Sequence, residues 1–336
     1  MQNNDEFQMP DGAELVGRDA MTFRMQITVP SDEDGFVGRE CPECEMTFRM
    51  DASRCEGIGN LWCVYCGHHA EYAEFLTAQQ RNRAVQAAED LGAQLVHESM
   101  RHIFRGLSRP GSRRSVSVSG TARPFRPRPL PGINEERLVR VRTCQECQMR
   151  YAIFGEHRYC PVCGKLSAVT IAFDALQADV NRLEALNALP PETRAVLREQ
   201  GVFTRNWVDT IENVVGVAEA LASAVFRAAV PNADDILRGK GSIFQRLDDM
   251  ADLFVAQGFA DLRAGLGPDL WRRLIECWAA RHVLTHNDGV VDDKYLAKVP
   301  ASSSRVGQRL VISEAKCRQA IDDAKTLCGA IAQLTD

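Results

Sequence analysis

Lysine is scarce in this chain, with six residues against 34 arginines. The N-terminus, Met1-Gln2-Asn3-Asn4-Asp5-Glu6, has neither the basic nor the apolar block of a signal peptide. No stretch approaches the ~18–20 uncharged apolar residues of a membrane span; the most apolar window, 214–230, carries Glu219 and Arg227. Charge of one sign does not dominate: 40 Lys and Arg face 45 Asp and Glu, a net charge of −5 that excludes a uniformly basic nucleic-acid coat. Aromatic residues are few, and Phe125 is the only one between Leu107 and Cys144, leaving little there for bases to stack on. These absences point to a cytoplasmic protein. At roughly 100–200 residues per domain, 336 residues make two or three domains, each large enough for a core.

Cysteine, in contrast, is plentiful. Eight of the 12 fall into four C-x-x-C pairs: Cys41/Cys44, Cys63/Cys66, Cys144/Cys147 and Cys160/Cys163. In a reducing compartment such pairs mean metal before disulfide. Each pair forms a tight turn whose two sulfurs face one ion, and two turns complete a Cys₄ set. Gly67 and Gly164 follow the second ligands of their turns, where a left-handed residue is needed. The intervening 18 and 12 residues suit short hairpins, so the two blocks resemble zinc ribbons. Two structural zinc ions are expected. A closed Cys₄ shell leaves no position for a reacting water, so no catalytic metal is expected. Cys55, Cys277, Cys317 and Cys328 stand outside the pattern. His68 and His69 are read as exposed residues at a helix start.

The chain divides by composition into a polar N-terminal segment (1–36, with one strand-like piece at 23–29), a first ribbon (37–69), a long helix (70–106), a linker (107–136), a second ribbon (137–170) and a helical domain (171–336). The stretch 101–142 holds 11 Arg against Glu135 and Glu136, with five prolines between Arg109 and Gly132, and reads as a flexible tether able to contact phosphates. The similarity of the two cysteine blocks suggests a duplicated module. In the helical domain, Val208, Ile211, Val215, Ala218, Ala222 and Val225 recur at helical spacing, and Pro231 stops that helix. Ser242 and Gln245 look like a capping box, Pro268 a helix start and Ser313 the cap of a last helix carrying Cys317, Ile321, Ala324, Cys328 and Ile331. The expected fold is mainly α: an antiparallel helical bundle with two small β modules and a long connecting helix.

One further segment suggests chemistry. Arg281-His282-Val283-Leu284-Thr285-His286 fits an Arg-x4-6-His pattern, which recurs as Arg150/His157 inside the second ribbon, so context has to decide between them. The first pair lies where the Pro268 helix runs out, and is followed by Asn287, Gly289, Asp292, Tyr295 and Leu296. That run resembles the motif region of the HEPN superfamily, helical domains of ribonucleases and toxins of the phage-defence and abortive-infection type. The resemblance covers roughly residue 203 onward. It implies a metal-independent endoribonuclease with Arg281, His286 and His282 at the site, RNA as substrate, a homodimer through the bundle and an inhibitor or sensor protein as partner. The subgroup modified by a partner nucleotidyltransferase has Tyr two residues after the His, where this chain has Asp288.

The residue types suit that chemistry. RNA supplies its own nucleophile, the 2′-OH, so cleavage needs a base, an acid and charge stabilisation. Histidine exchanges protons at neutral pH, and arginine keeps its charge beside the phosphate. Residues five apart on a straight helix do not converge, so the site must use the helix end or a second copy of the motif. His282 falls on the helical wheel beside Trp271, Ile275 and Trp278, which also fits a half-buried orienting histidine. Asn287 and Asp288 are read as making a turn with Gly289, and Tyr295 as packing. The other reading of the chain is a non-catalytic adaptor whose ribbons and bundle bind nucleic acid or protein.

Overall fold

The computed structural model describes residues 7–19, 22–107, 125–138 and 140–335, in two compact units: residues up to 154 with 159–165, and residues 155–158 with 166 onward. Among the described residues, no helix is long and apolar enough to cross a membrane.

The first unit opens on an antiparallel hairpin of β1 (Ala13–Asp19) and β2 (Thr22–Ile27). The sequence signals only the second strand. β1 is masked by its polar content, with a register shift between Leu15 and Gly17. Four further hairpins follow, each turning on a C-x-x-C pair. β3 (Phe36–Glu40) and β4 (Thr47–Asp51) flank Cys41/Cys44; β5 (Asn60–Trp62) and β6 (His69–Glu71) flank Cys63/Cys66. After helix α1 (Ala78–Leu107), β7 (Val141–Thr143) and β8 (Arg150–Ala152) flank Cys144/Cys147, while β9 (Tyr159–Cys160) and β10 (Gly164–Lys165) enclose Cys160/Cys163.

The two ribbons are not separate modules. β4 pairs antiparallel with β8, giving one four-stranded sheet in the order β3-β4-β8-β7. Aligning Cys41 with Cys144 makes Arg49 the counterpart of Ala152, and these two residues face each other in the sheet. A pseudo-two-fold axis therefore runs through that pair. The second turns obey the same symmetry: Trp62 N–H donates to Pro161 O (2.9 Å), and Tyr159 N–H donates to Val64 O (3.2 Å). Phe48, Met50, Tyr151 and Ile153, alternate residues of the two central strands and their extensions, are at most 1% exposed and supply a shared core. The duplication is legible in the sequence, but the pairing of its halves is not.

Two other expectations shift for local reasons. The long helix begins at Ala78, eight residues later than expected, because His69–Glu71 closes a hairpin and Tyr72–Phe75 forms a 3-10 turn. Its start is a capping box: the Thr77 hydroxyl accepts from Gln80 N–H (3.3 Å), and the Gln80 side chain accepts from Thr77 N–H (3.4 Å). Of the expected tether, 108–124 lies outside the described residues, whereas 125–138 is laid along α1. Arg128 pairs with Asp90 (2.7 Å) and Glu89 (3.0 Å), and the carbonyls of Pro129, Pro131 and Asn134 accept from Gln86, Arg83 and Gln79. Glu135 then reaches Thr77 and Gln80 over a glycine: a Cβ on Gly38 would collide with the Glu135 carboxylate.

The second unit is helical: α2 (Ala168–Ala188), α3 (Pro191–Glu199), α4 (Val202–Ala229), α5 (Ala233–Leu237), α6 (Leu247–Ala256), α7 (Leu262–Leu266), α8 (Pro268–His286), α9 (Asp293–Lys298) and α10 (Glu314–Ala332). The four longest, α2, α4, α8 and α10, share one apolar core. The expected stripes of α4 and α10 are buried in it, except Val208, which is half-buried, and Ser313 caps α10 by accepting from Lys316 N–H (3.3 Å). Ser242 and Gln245 do not form the expected capping box. They bound a 3-10 turn with no side-chain cap, and α6 starts after Arg246. Trp271 and Trp278 both belong to this core.

Candidate functional site

The turns of the first unit bring the eight paired cysteines into two clusters, Cys41/Cys44/Cys63/Cys66 and Cys144/Cys147/Cys160/Cys163. Four sulfurs held ~2.3 Å from one ion at tetrahedral angles stand about 3.8 Å apart. Here Cys41–Cys66 is 3.7 Å, Cys44–Cys63 3.6 Å, Cys147–Cys160 3.7 Å and Cys144–Cys163 3.9 Å. Glu45 and Gln148 adopt matching left-handed conformations after the first turns (φ 59° each), as Gly67 and Gly164 do after the second. Burial pushes the Cys63 and Cys160 thiols well up, despite N–H groups of their own turns that favour the thiolate. A cation is what makes four thiolates compatible with such a site. Both clusters fit a tetrahedral metal.

Cys55 is not part of either cluster; its thiol faces Asp51 O (3.3 Å). His69 belongs to a strand, not a helix start, and stacks on Trp62 (ring centroids 4.3 Å apart). Cys277, Cys317 and Cys328 are buried core thiols.

The Arg–His motif occupies the last turns of α8. Gly267 and Pro268 set the helix start, and Trp271 anchors it by donating to Asp248 (2.9 Å). At the other end Asp288 and Gly289 turn left-handed (φ 49° and 74°), Gly289 N–H closes back on Val283 O (3.0 Å), and the Asn287 amide donates to Val290 O (2.8 Å). The expected turn is thus present. Tyr295 is buried, and Asp292 caps α9 through Tyr295 N–H.

Arg281, His282 and His286 all line one cleft of about 440 Å³, between α8, the turn at Ser242–Asp249 and Lys298 of α9. The three residues thus line one cleft at the helix end within a single chain. His282 and His286 are exposed, with ring centroids 5.0 Å apart. His282 lies beside Ile275 and Trp278, as the helical wheel places it, but it is exposed and not half-buried. Among the described residues, the buried Arg281 Nε has no hydrogen-bond partner, and neither Arg281 nor Lys298 forms an ion pair.

The chain matches no protein-family model, no curated protein and no solved structure.

The cleft's charges must therefore be read directly. Partial desolvation in the cleft, then His286, Lys298 and Lys294, lower the His282 pKa from its ordinary value, and Asp292 opposes them. Arg246 also lines the cleft but is held by Asp249, and Asp248 is engaged by Trp271. Lys298, Arg246 and Asp248 were not legible as site residues, because they come from other elements and carry no motif. The alternative pair, Arg150 and His157, is accounted for separately. Arg150 lies over the Phe36 ring (5.1 Å) and pairs with Asp51 (3.3 Å), while His157 Nδ1 is buried against Asp174 (2.9 Å).

Proposed function

We propose that the second unit is a metal-independent endoribonuclease of HEPN type, a toxin or antiviral-defence effector, and that each Cys₄ cluster of the first unit holds a structural zinc ion. The observation that carries the reading is the convergence of Arg281, His282 and His286 on one cleft, with Arg281 and Lys298 free of ion pairs among the described residues. A phosphodiester supplies the missing negative charge. Arg281 offers its guanidinium fork to the non-bridging oxygens and stabilises the extra charge of the transition state. His282, biased toward its neutral form, accepts the 2′-OH proton; the oxygen attacks phosphorus, and the P–O5′ bond breaks as His286 donates a proton to the leaving oxygen. The products are a 2′,3′-cyclic phosphate and a 5′-OH end. The zinc ions lie outside this path and maintain the fold of the first unit.

The family resemblance also implies a homodimer. With Trp271 and Trp278 in the core, such an interface would be built from other residues of the bundle.

The test compares total RNA from cells expressing the chain or its His286→Ala variant, followed by end-group analysis of the fragments. Cleavage is expected to fall about 10²–10⁴-fold in His286→Ala and similarly in Arg281→Ala, to survive brief EDTA treatment, and to fail on RNA with a 2′-O-methyl group at the cut site. A fully active His286→Ala, or equal cleavage of 2′-O-methyl RNA, refutes the ribonuclease reading and leaves the adaptor reading in its place.

A further inference from the structure

The first unit holds a cavity that neither the cysteine clusters nor RNA cleavage explains. It measures about 430 Å³ and lies among β2, β3, the 3-10 turn at Tyr72–Phe75 and α1. Its walls are largely apolar: Ile27, Val29, Val37, Leu76 and Ala84. Arg39, which also lines it, is only 2% exposed.

A buried guanidinium is expected to have a carboxylate partner, because a cation out of water without a counter-charge is strongly unfavourable. Arg39 has none among the described residues. One nitrogen, Nη1, donates to Gly38 O and to the Gln80 side chain (3.2 Å), and the guanidinium lies over the Tyr72 ring (4.2 Å). Its Nε is buried without a hydrogen-bond partner among the described residues. Glu135, the neighbouring acid, is taken by Thr77 (2.6 Å), Gln80 (3.0 Å) and Arg49 (3.6 Å). The sheet and helix therefore hold one side of Arg39 in place, and the other side has donors to spare.

We infer that this cavity binds a small organic anion, with its carboxylate or phosphate head on Arg39 and its apolar body against Ile27, Val29, Val37 and Leu76. The volume is that of an ordinary small-molecule site, with apolar walls and one charged group fixing orientation. The planar fork of arginine matches either head group through paired N–H donors. The bound molecule would bridge β2, β3 and α1, and its binding is read without reference to RNA cleavage.

The test uses the full, zinc-loaded chain in calorimetric titrations with octanoate, octyl phosphate, 1-octanol and inorganic phosphate. Octanoate or octyl phosphate should bind at least tenfold more tightly than 1-octanol, the tighter of the two identifying the head group, and inorganic phosphate should bind more weakly than either. Arg39→Met should reduce binding of the preferred anion at least tenfold, down to the level of 1-octanol. Ala84→Phe fills the cavity from the helix side with Arg39 intact, and should weaken both anions and 1-octanol alike; it carries the test if Arg39→Met does not fold. Binding of 1-octanol as tight as that of both anions, no anion binding at millimolar concentration, or undiminished binding in Ala84→Phe overturns the assignment.

Discussion

Replacing Cys160 by Ser removes one sulfur from the second cluster, and the joined sheet makes the consequence for the first cluster calculable. Were the ribbons independent, the first would keep its metal affinity. Instead β8, whose start is fixed by the second cluster's first turn, pairs with β4, and Phe48 and Met50 on β4 are fully buried. Fraying of β8 exposes these two side chains, at about 1.5–3 kcal/mol each, or about 3–6 kcal/mol together. Because metal binding and folding are one equilibrium in so small a unit, that loss appears in the affinity of the first cluster as roughly a 10²–10⁴-fold weakening. Competition with a chromophoric chelator measures it: the wild type should release two zinc ions at closely similar chelator concentrations, and Cys160→Ser should hold one ion, far more weakly. The second unit should keep its helical circular dichroism. A first-cluster affinity unchanged in Cys160→Ser would show that the shared core contributes nothing to metal retention and would refute the reasoning.

Three other outcomes are expected. The His282 midpoint in an NMR titration should lie below its ordinary value of about 6.5, and Lys298→Ala should raise it by removing a repelling charge; because the unfolded chain takes up this proton first, stability of the second unit should decline as pH falls below about 6.5, and His282→Gln should flatten that decline. His157→Ala should destabilise the second unit by about 1–3 kcal/mol, the cost of withdrawing a buried hydrogen-bond partner from Asp174, lowering the urea midpoint; an unchanged midpoint would mean that the 2.9 Å contact is energetically idle. Light scattering at micromolar concentration should report a dimer that persists when residues 1–165 are perturbed by Cys160→Ser, and a strict monomer with full activity would remove the homodimer.

What could be read in advance followed from local rules. C-x-x-C spacing named all eight cluster residues, since a turn that holds two sulfurs around one ion leaves little freedom. Helical periodicity placed α4, α8 and α10 because one face of each is buried along its length, and the Asn287–Gly289 turn followed from residues that tolerate left-handed backbone. What escaped was tertiary. The register of Arg49 against Ala152 depends on two segments about a hundred residues apart, and no local signal announces it. The docking of 125–138 rests on Asp90, Gln86 and Gln79, ordinary polar residues on a helix until the returning chain meets them. The wheel put His282 beside Ile275 and Trp278, and all three line the cleft, but it gave no sign that Trp271 turns into the core or that His282 is exposed.

The pseudo-two-fold axis through Arg49 and Ala152 also bears on how the chain avoids pairing with the wrong copy of itself. Two similar halves that meet edge to edge could equally meet their own kind, first half with first half from another molecule. That pairing would set Arg49 against Arg49 at the axis, and like charges directly opposite in a sheet repel. The reverse, Ala152 against Ala152, leaves an unfilled space where a long side chain belongs. Only the mixed pair places one large charged residue over one small one. The mismatch of Arg49 with Ala152 thus disfavours both pairings of like with like relative to the pairing seen within the chain.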